Sequence, residues 1–366
     1  MTTTSMRRQW ETRGRPAAAS IVSAQEIATP SDLREALPAT PAVRDLVDET
    51  RRAIRRILTR EDARMLVVVG PCSIHDAGSA LAYARWLAEA RARLAAEALI
   101  VMRVYLAKPR TRGGWKGFIN DPHLDGSCDI DAGLHLGRRL MLEINAMGVP
   151  TATEFLDQVV PEYLGDLVSW AGIGARTVES QLHRELASGL SCPVGFKNAM
   201  SGDVGVAVNA VVAASRPQRF VGITATGRLA QVSTAGNPDC HVVLRGGAGP
   251  NHDRASIAAA AALLASEGLT TPIMVDCSHG NCAGEPRRQL AVADDLMRYR
   301  QDGGTDVCGL MVESHLIGGR QSFLPGVRPM PGLSITDACL GIDDTAQLLR
   351  GLADGLPAPG RQTGVA

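Results

Sequence analysis

Lysine is almost missing from this chain. Of 38 cationic residues in 366, only three are lysine, at positions 108, 116 and 197; the rest are arginine. A sequence that uses arginine nearly everywhere else points to a need, at some at least of those positions, for a compact ammonium that can surrender a proton. Net charge is missing too, with 38 acidic residues against 38 basic ones. No overall field therefore draws the molecule to nucleic acid or to an anionic membrane. No apolar run approaches the roughly 20 residues a membrane helix requires, and no continuous hydrophobic segment suggests a signal peptide. The eight cysteines form no disulfide framework, and Cys277 and Cys282 are not spaced as a zinc knuckle. Reduced thiols in a cytoplasmic protein fit that pattern. The G-x-G-x-x-G turn of a dinucleotide fold is absent as well: Gly70-Pro-Cys-Ser follows the first strand instead.

What remains is ordinary globular composition, 45% hydrophobic and 21% charged, in a chain long enough to bury a large core. Residues 1–30, basic at first (Arg7, Arg8, Arg13, Arg15), read as a flexible arm. Ser31 is placed to cap a short helix, and Pro41 to open a longer one reaching about Thr59. Then a rhythm begins. Short β-rich runs at 66–70, 99–104, 149–154, 170–175, 193–197, 219–224, 241–245, 272–276 and 307–312 alternate with helical segments at 78–97, 130–147, 179–188, 254–267 and 286–301. Apolar strands joined by helical crossovers mean a parallel sheet covered on both faces. The run at 219–224 is the exception, because a second β-rich run follows it with no helix between. It reads as an antiparallel hairpin. Without it eight strands remain, predicting a (β/α)8 barrel, of the α/β class, with an N-terminal extension and a β-hairpin inserted between barrel strands 5 and 6. The barrel is expected over 31–352, including the insert at 219–235, with a flexible tail at 353–366. A doubly wound open sheet is the alternative.

In such a barrel the site is built from the C-terminal strand ends. Those exits carry Cys72, Arg103 with Lys108, Glu154, Arg176, Lys197, Arg245, His279 and Glu313, and Asp337 follows in a later loop. The segment from Arg103 to Lys116 alone holds five cations in fourteen residues. Arg103, Lys108, Arg110, Arg176, Lys197 and Arg245 form a cationic lining suited to a substrate with both phosphate and carboxylate. Cys72, His279, Glu313 and Asp337 combine a thiol, an imidazole and two carboxylates, a mixed set for a divalent transition metal such as Mn, Fe, Co or Zn. An open coordination position would let that metal polarise a carbonyl. Of the other histidines, His315 reads as structural and His183, beside Arg184 and Glu185, as part of a solvated helix face. Trp115 either walls the pocket or packs its own loop.

These residues fall in motifs that resemble a known family: Val69-Gly-Pro-Cys-Ser-Ile-His-Asp76, Lys108-Pro-Arg-Thr111, Gly114-Trp-Lys-Gly117, Asn120-Asp-Pro-His123, Glu154-Phe-Leu-Asp157, Gly174-Ala-Arg-Thr177, the run from Ser188 to Asn198, Leu244-Arg-Gly-Gly247, Asp276-Cys-Ser-His279, Met311-Val-Glu-Ser-His315 and Ser334-Ile-Thr-Asp337. In order over roughly residues 40–350, they are similar to type I 3-deoxy-D-arabino-heptulosonate 7-phosphate (DAHP) synthase. The resemblance implies condensation of phosphoenolpyruvate with erythrose 4-phosphate, releasing phosphate, at the first step of the shikimate pathway. It implies that Cys72, His279, Glu313 and Asp337 hold the metal, with Cys72, His279 and Lys108 catalytic. Arg103, Lys108, Arg176, Lys197 and Arg245, with Glu154 nearby, would take phosphoenolpyruvate; Lys108, Pro109, Arg110 and Thr111 would meet erythrose 4-phosphate. It also implies feedback inhibition by an aromatic amino acid at a site partly on the hairpin, and a homodimer or homotetramer. Two positions depart from the family pattern: the hairpin core Thr224-Ala-Thr-Gly-Arg228, and Ala107, where an acidic residue usually precedes Lys-Pro-Arg. The competing readings are a sibling synthase using a longer sugar phosphate, such as arabinose 5-phosphate, and a non-catalytic regulatory barrel. The Lys108-Pro-Arg-Thr tetrapeptide speaks against the first, and the intact ligand set against the second.

Overall fold

The computed structural model of the protein describes residues 23–324 and 326–355, with side chains as far as residue 352. Most of the arm expected at 1–30, and the tail expected at 353–366, lie outside these described side chains. The last part of that arm is tied down. The Ala28 amide donates to Asp131 (2.9 Å), Tyr163 donates to the Ala28 carbonyl (2.7 Å), and the Ser31 amide reaches the Ala225 carbonyl (2.7 Å).

Helix α1 (Pro30–Ala36) starts two residues earlier than the sequence suggested. Its cap is Thr29, not Ser31: the Thr29 hydroxyl accepts from the Asp32 amide while the Asp32 carboxylate accepts from the Thr29 amide. Pro30 takes the first helical position, where no amide proton is required, so this reciprocal cap wins over Ser31. Helix α2 (Pro41–Leu58) buries Val43, Val47, Ile54 and Ile57 along one face, the stripe that a 3.6-residue period demands.

The strands follow in the expected sequence: β1 (Met65–Gly70), β2 (Ala98–Arg103), β3 (Thr151–Glu154), β4 (Val168–Ile173), β5 (Val194–Lys197), the pair β6 (Arg219–Ile223) and β7 (Leu229–Ser233), then β8 (Cys240–Leu244), β9 (Ile273–Asp276) and β10 (Val307–Glu313). Eight of them close a parallel barrel in the order β1-β10-β9-β8-β5-β4-β3-β2, and β6 and β7 form a separate antiparallel hairpin between β5 and β8. The barrel is therefore the one the alternation predicts, with the hairpin where the missing helix left it. Helices α3 (Ala77–Arg93), α4 (Ile130–Ala146), the single turn α5 (Val160–Leu164), α6 (Gln181–Gly189), α7 (Gly205–Ala214), α8 (Arg254–Ser266), α9 (Arg288–Gln301) and α10 (Ile342–Gly355) fill the connections and follow the last strand. Among the described residues, no helix is long and apolar enough to cross a membrane.

The core has two parts. One lies between strands and outer helices. The other gathers Leu66, Val68, Val101, Trp170, Val243 and Met311 with Ile54, Ile57 and Leu58 of α2, so α2 plugs the amino-terminal end of the barrel. This leaves the carboxy-terminal end for chemistry. Trp170 fills the interior because Gly195 on the adjacent strand lies against it without a side chain; a Cβ there would collide with the indole and with Val243. The indole Nε1 donates to His241 Nε2 at 3.2 Å, so that nitrogen must be unprotonated. Burial holds the His241 pKa down at about 4, and burial does the same to His315.

An unfolded histidine titrates near 6.5. The folded state therefore gains stability from these neutral rings above that pH and loses it as pH falls from about 6.5 toward 4. Each ring is expected to add a slope of up to about 1.4 kcal/mol per pH unit over that range. Urea unfolding between pH 7 and 5 measures it, and His241→Gln is expected to flatten the slope. An unchanged slope in that variant would contradict the assignment to His241.

Candidate active site

A cavity of about 400 Å³ opens at the carboxy-terminal end of the barrel. The loop after β2 contributes Lys108, Pro109, Arg110 and Thr111 to its wall, β3 ends in it with Glu154, and the loop after β4 adds Arg176. Lys197 at the end of β5, Arg245 after β8, His279 after β9 and Asp337 complete the ring. Parallel strands bring these exits together because every one of them leaves the barrel at the same end. Five cations against two carboxylates make the wall strongly positive.

Cys72, Arg103 and Glu313 lie beneath this wall, each almost wholly buried. Cys72, Glu313 and Asp337 each offer a ligand atom, and those atoms all lie within 4.8 Å of one another. His279 stands at the edge of this cluster, with Nε2 3.7 Å from Glu313 Oε1. Its backbone adopts φ +57°, a strained value for a non-glycine residue that persists where the surroundings over-determine it. A soft thiol, hard carboxylates and a nearby imidazole fit a divalent transition metal. Three of the four ligands expected from the sequence thus converge, and the fourth is adjacent.

The electrostatics of the cluster call for positive charge. Lys108 Nζ donates to Cys72 Sγ (2.8 Å) and to Asp337 Oδ2 (2.9 Å). Burial works against its charge, but Cys72, Glu313 and Asp337 outweigh that and raise the Lys108 pKa above its usual value. Burial pushes the Cys72 thiol up to about 12, Glu313 adding to the effect while Lys108 opposes it. Arg103 stacks over the Tyr105 ring, 3.9 Å from its centroid, and donates to Glu313 Oε1 at 3.1 Å. Burial, partly offset by Asp276, holds the Arg245 guanidinium below its usual range. Arg176 Nε donates to Thr111 Oγ1 (3.0 Å), linking the β4 and β2 loops across the mouth. Gly174 lets the Glu154 carboxylate lie flat against the β4 exit, where any Cβ would strike Oε1.

The Asp276-Cys-Ser-His279 motif in the sequence carried no role for Asp276 itself, which is fully buried three residues before His279. Its Oδ2 accepts from Lys197 Nζ (2.7 Å) and faces His279 Nδ1 (2.9 Å). Its place at the exit of β9 was the available signal. Three side-chain amides, of Asn198 and Asn281 (buried) and of the half-buried Asn251, were also missed. Asn198 accepts from the Arg245 amide, Asn251 bonds Asn198 and the Gly246 amide, and Asn281 accepts from the Asn251 amide, stapling the loops after β5, β8 and β9. Trp115 packs its own loop, donating to the Asp121 carbonyl at 2.9 Å. His315 is buried edge-on to His75, as a structural residue would be. His183 does not lie on a solvated face: it is half-buried, bonded to Ser180, and its neighbour Glu185 is buried. The face turns inward because the loop after β3 lies over it, with Leu156 and Asp157 beside the imidazole, while Arg184 next to it reaches the Val206 carbonyl of α7.

A second cavity, of about 370 Å³, lies apart from the first, between the hairpin, α1, α2 and α5. Phe155, Phe220, Ile223 and Val232 give it apolar walls, and Arg34, Glu162 and Asp166 give it charge of both signs. The buried Nε of Arg34 has no hydrogen-bond partner among the described residues.

Comparison with known proteins agrees with this architecture. Residues 37–350 match the profile of the DAHP synthetase I family. The chain is 49% identical over 334 residues to the Phe-sensitive phospho-2-dehydro-3-deoxyheptonate aldolase of Escherichia coli strain K12, covering 91% of this chain and 95% of that protein. It is 49% identical over 331 residues to the Tyr-sensitive enzyme of the same strain (90% and 93% covered). It is 47% identical over 327 residues to the Trp-sensitive one of Salmonella typhimurium (89% and 94%). A solved phospho-2-dehydro-3-deoxyheptonate aldolase from Francisella tularensis SCHU S4 superposes with a TM-score of 0.90 at 43% identity, over 92% of this chain and 98% of that one. With a profile match across most of its length, the strand-exit motifs in place and a closed eight-stranded barrel to carry them, the chain belongs to the DAHP synthetase I family and is an enzyme of that class.

Proposed function

We propose that the protein condenses phosphoenolpyruvate with D-erythrose 4-phosphate and water, giving DAHP and inorganic phosphate, in the cytoplasm and with a divalent Mn, Fe, Co or Zn ion. The observation that carries this reading is one cavity whose wall holds Lys108, Arg110, Arg176, Lys197 and Arg245 directly above the Cys72–Glu313–Asp337 cluster. Two anionic substrates repel each other in water, and a preorganised cationic wall removes that repulsion while fixing them at reacting distance. Arg176, Lys197 and Arg245, with Arg103 beneath them, would grip the phosphate and carboxylate of phosphoenolpyruvate, arginine forks binding oxygens in pairs. Arg110 and Thr111, beside the rigid Pro109, would hold the phosphate of erythrose 4-phosphate. A metal held by Cys72, His279, Glu313 and Asp337 would supply Lewis acidity toward the aldehyde oxygen.

The methylene carbon (C3) of phosphoenolpyruvate then forms a bond to the aldehyde carbon with the π electrons of its double bond, leaving C2 electron-deficient, and the oxygen of that aldehyde becomes an alkoxide. Lys108 is assigned as its proton donor. It is charged, buried at the junction of the cationic wall and the carboxylates, and unlike arginine it can release a proton. Water adds to C2, the carbon that bears the phosphate oxygen, and loses a proton; phosphate then leaves with cleavage of the C2–O bond, and C2 becomes the ketone of the product. NMR of the product from ¹³C-labelled phosphoenolpyruvate with either erythrose 4-phosphate or arabinose 5-phosphate tests the assignment. A seven-carbon product supports it; an eight-carbon product formed to the exclusion of the other would establish the sibling reaction instead.

The cavity beside the hairpin is proposed as the site of an aromatic amino-acid effector. Apolar walls suit an aromatic ring, opposite charges suit a zwitterion, and Arg34, which donates to the Glu162 carbonyl and lies 3.9 Å from Asp166, brings a guanidinium for a carboxylate. The relatives' designations as Phe-, Tyr- and Trp-sensitive are in keeping with this. One of these three amino acids is expected to inhibit, and Phe220→Ala to raise its inhibition constant by about 10-fold or more, the loss of a buried aromatic contact. Inhibition with the same constant in Phe220→Ala would remove the effector from this cavity. A homodimer or homotetramer is proposed on the same family grounds.

A further inference from the structure

We infer that Asp276 is a positioning residue that couples the binding of the divalent metal to the binding of the anionic substrate, an inference that rests on the function proposed above. The carboxylate is fully buried at the end of β9 and joins the two halves of the site. Oδ2 accepts from Lys197 Nζ at 2.7 Å, on the substrate side, and faces His279 Nδ1 at 2.9 Å, on the metal side. Oδ1 accepts from the Ser278 amide at 3.0 Å and from the Ser278 hydroxyl at 2.5 Å. Ser278 thereby spends its only hydroxyl proton on Asp276, so its oxygen, 2.7 Å from His279 Nδ1, can only accept from that nitrogen. Both neighbours of Nδ1 are acceptors. The imidazole is held with its proton on Nδ1, and Nε2, on the side of Glu313, is left with its lone pair for a metal.

A carboxylate behind a ligating imidazole raises ligand basicity and fixes ring orientation. Here the same oxygen also holds the ammonium that is to meet phosphoenolpyruvate. When Nε2 gives its lone pair to a cation, Nδ1–H becomes a stronger donor to Asp276 and draws on the charge that Lys197 shares. Lys197 is then freer to turn to an arriving anion. By linkage, the anion must tighten the metal by the same factor.

Calorimetric titration of the metal-free protein with Mn²⁺, with and without saturating phosphoenolpyruvate, tests this without turnover. Relative to wild type, Asp276→Asn is expected to weaken Mn²⁺ roughly 10- to 100-fold, the cost of losing a carboxylate behind a ligand. It is also expected to weaken phosphoenolpyruvate and to shrink the factor by which each tightens the other. Wild-type affinities in Asp276→Asn overturn the inference, and so do weakened affinities with the mutual factor unchanged, the signature of a purely structural role. Should Asp276→Asn fail to fold by circular dichroism, Ser278→Ala decides: a weaker Mn²⁺ affinity and a smaller mutual factor support the inference, and wild-type values overturn it. Wild-type protein that takes Mn²⁺ but not phosphoenolpyruvate would refute the proposed substrate and, with no mutual factor to couple, the inference as well, whereas a failure confined to the variants leaves the proposed function standing.

Discussion

Replacing Cys72 with alanine is expected to lower turnover by about 10³-fold or more, the equivalent of several kcal/mol of lost Lewis-acid assistance, while the barrel remains folded. The thiol sits at the centre of the ligand cluster, within reach of Glu313 and Asp337 and bonded to Lys108. Burial keeps it protonated, with a pKa of about 12, in the absence of a metal. A bound divalent cation would reverse that preference, since a coordinating thiol gives up its proton. Its removal deletes the one soft ligand and leaves two carboxylates and an imidazole, a set that holds softer transition metals less well. The structural cost is small, because the side chain is short and the surrounding residues come from several strands. Turnover, Mn²⁺ content after dialysis and the thermal midpoint, measured together, separate the two effects. Wild-type turnover in Cys72→Ala would sink the metal assignment.

The second large effect is expected at Lys108. Lys108→Arg keeps a cation but cannot deliver a proton, so kcat is expected to fall by about 10²- to 10⁴-fold, the usual worth of a positioned general acid. The apparent KM values are expected to move much less, because the charge that attracts the anions stays. A variant that kept kcat and lost only KM would make Lys108 a binding residue and leave the alkoxide to another donor. The scarcity of lysine in the chain gives this test its edge: arginine serves nearly every other cationic position, so its failure at 108 would show that charge alone is insufficient there.

Much of this architecture is legible in the sequence for a simple reason. Strands buried on both faces carry unbroken apolar runs, and in a parallel barrel each run must exit at the same end. Naming the residue after Val101-Met102 or Val242-Val243-Leu244 was therefore enough to place Arg103 and Arg245 in one site. The hairpin was visible through an absence, two β-rich runs without a helix between them. What escaped depends on contacts rather than pattern. Thr29 caps α1 because Asp32 answers it, a reciprocal bond that Ser31 could not be ruled out for from composition alone. His183 looked solvated because its neighbours are charged, yet the loop after β3, at Leu156 and Asp157, covers that side. Asp276 was read as part of a motif around His279, and its bridge between Lys197 and the imidazole exists only once β5 and β9 flank β8 in the barrel. The Asn198–Asn251–Asn281 staple joins residues far apart in the chain and has no signature in any one segment.

The proposed condensation is tested most directly by phosphate release on mixing the metal-loaded protein with phosphoenolpyruvate and erythrose 4-phosphate, with and without a chelator. Release is expected to require both substrates and to stop when the metal is removed. Release from phosphoenolpyruvate alone, or undiminished release in the presence of chelator, would contradict it.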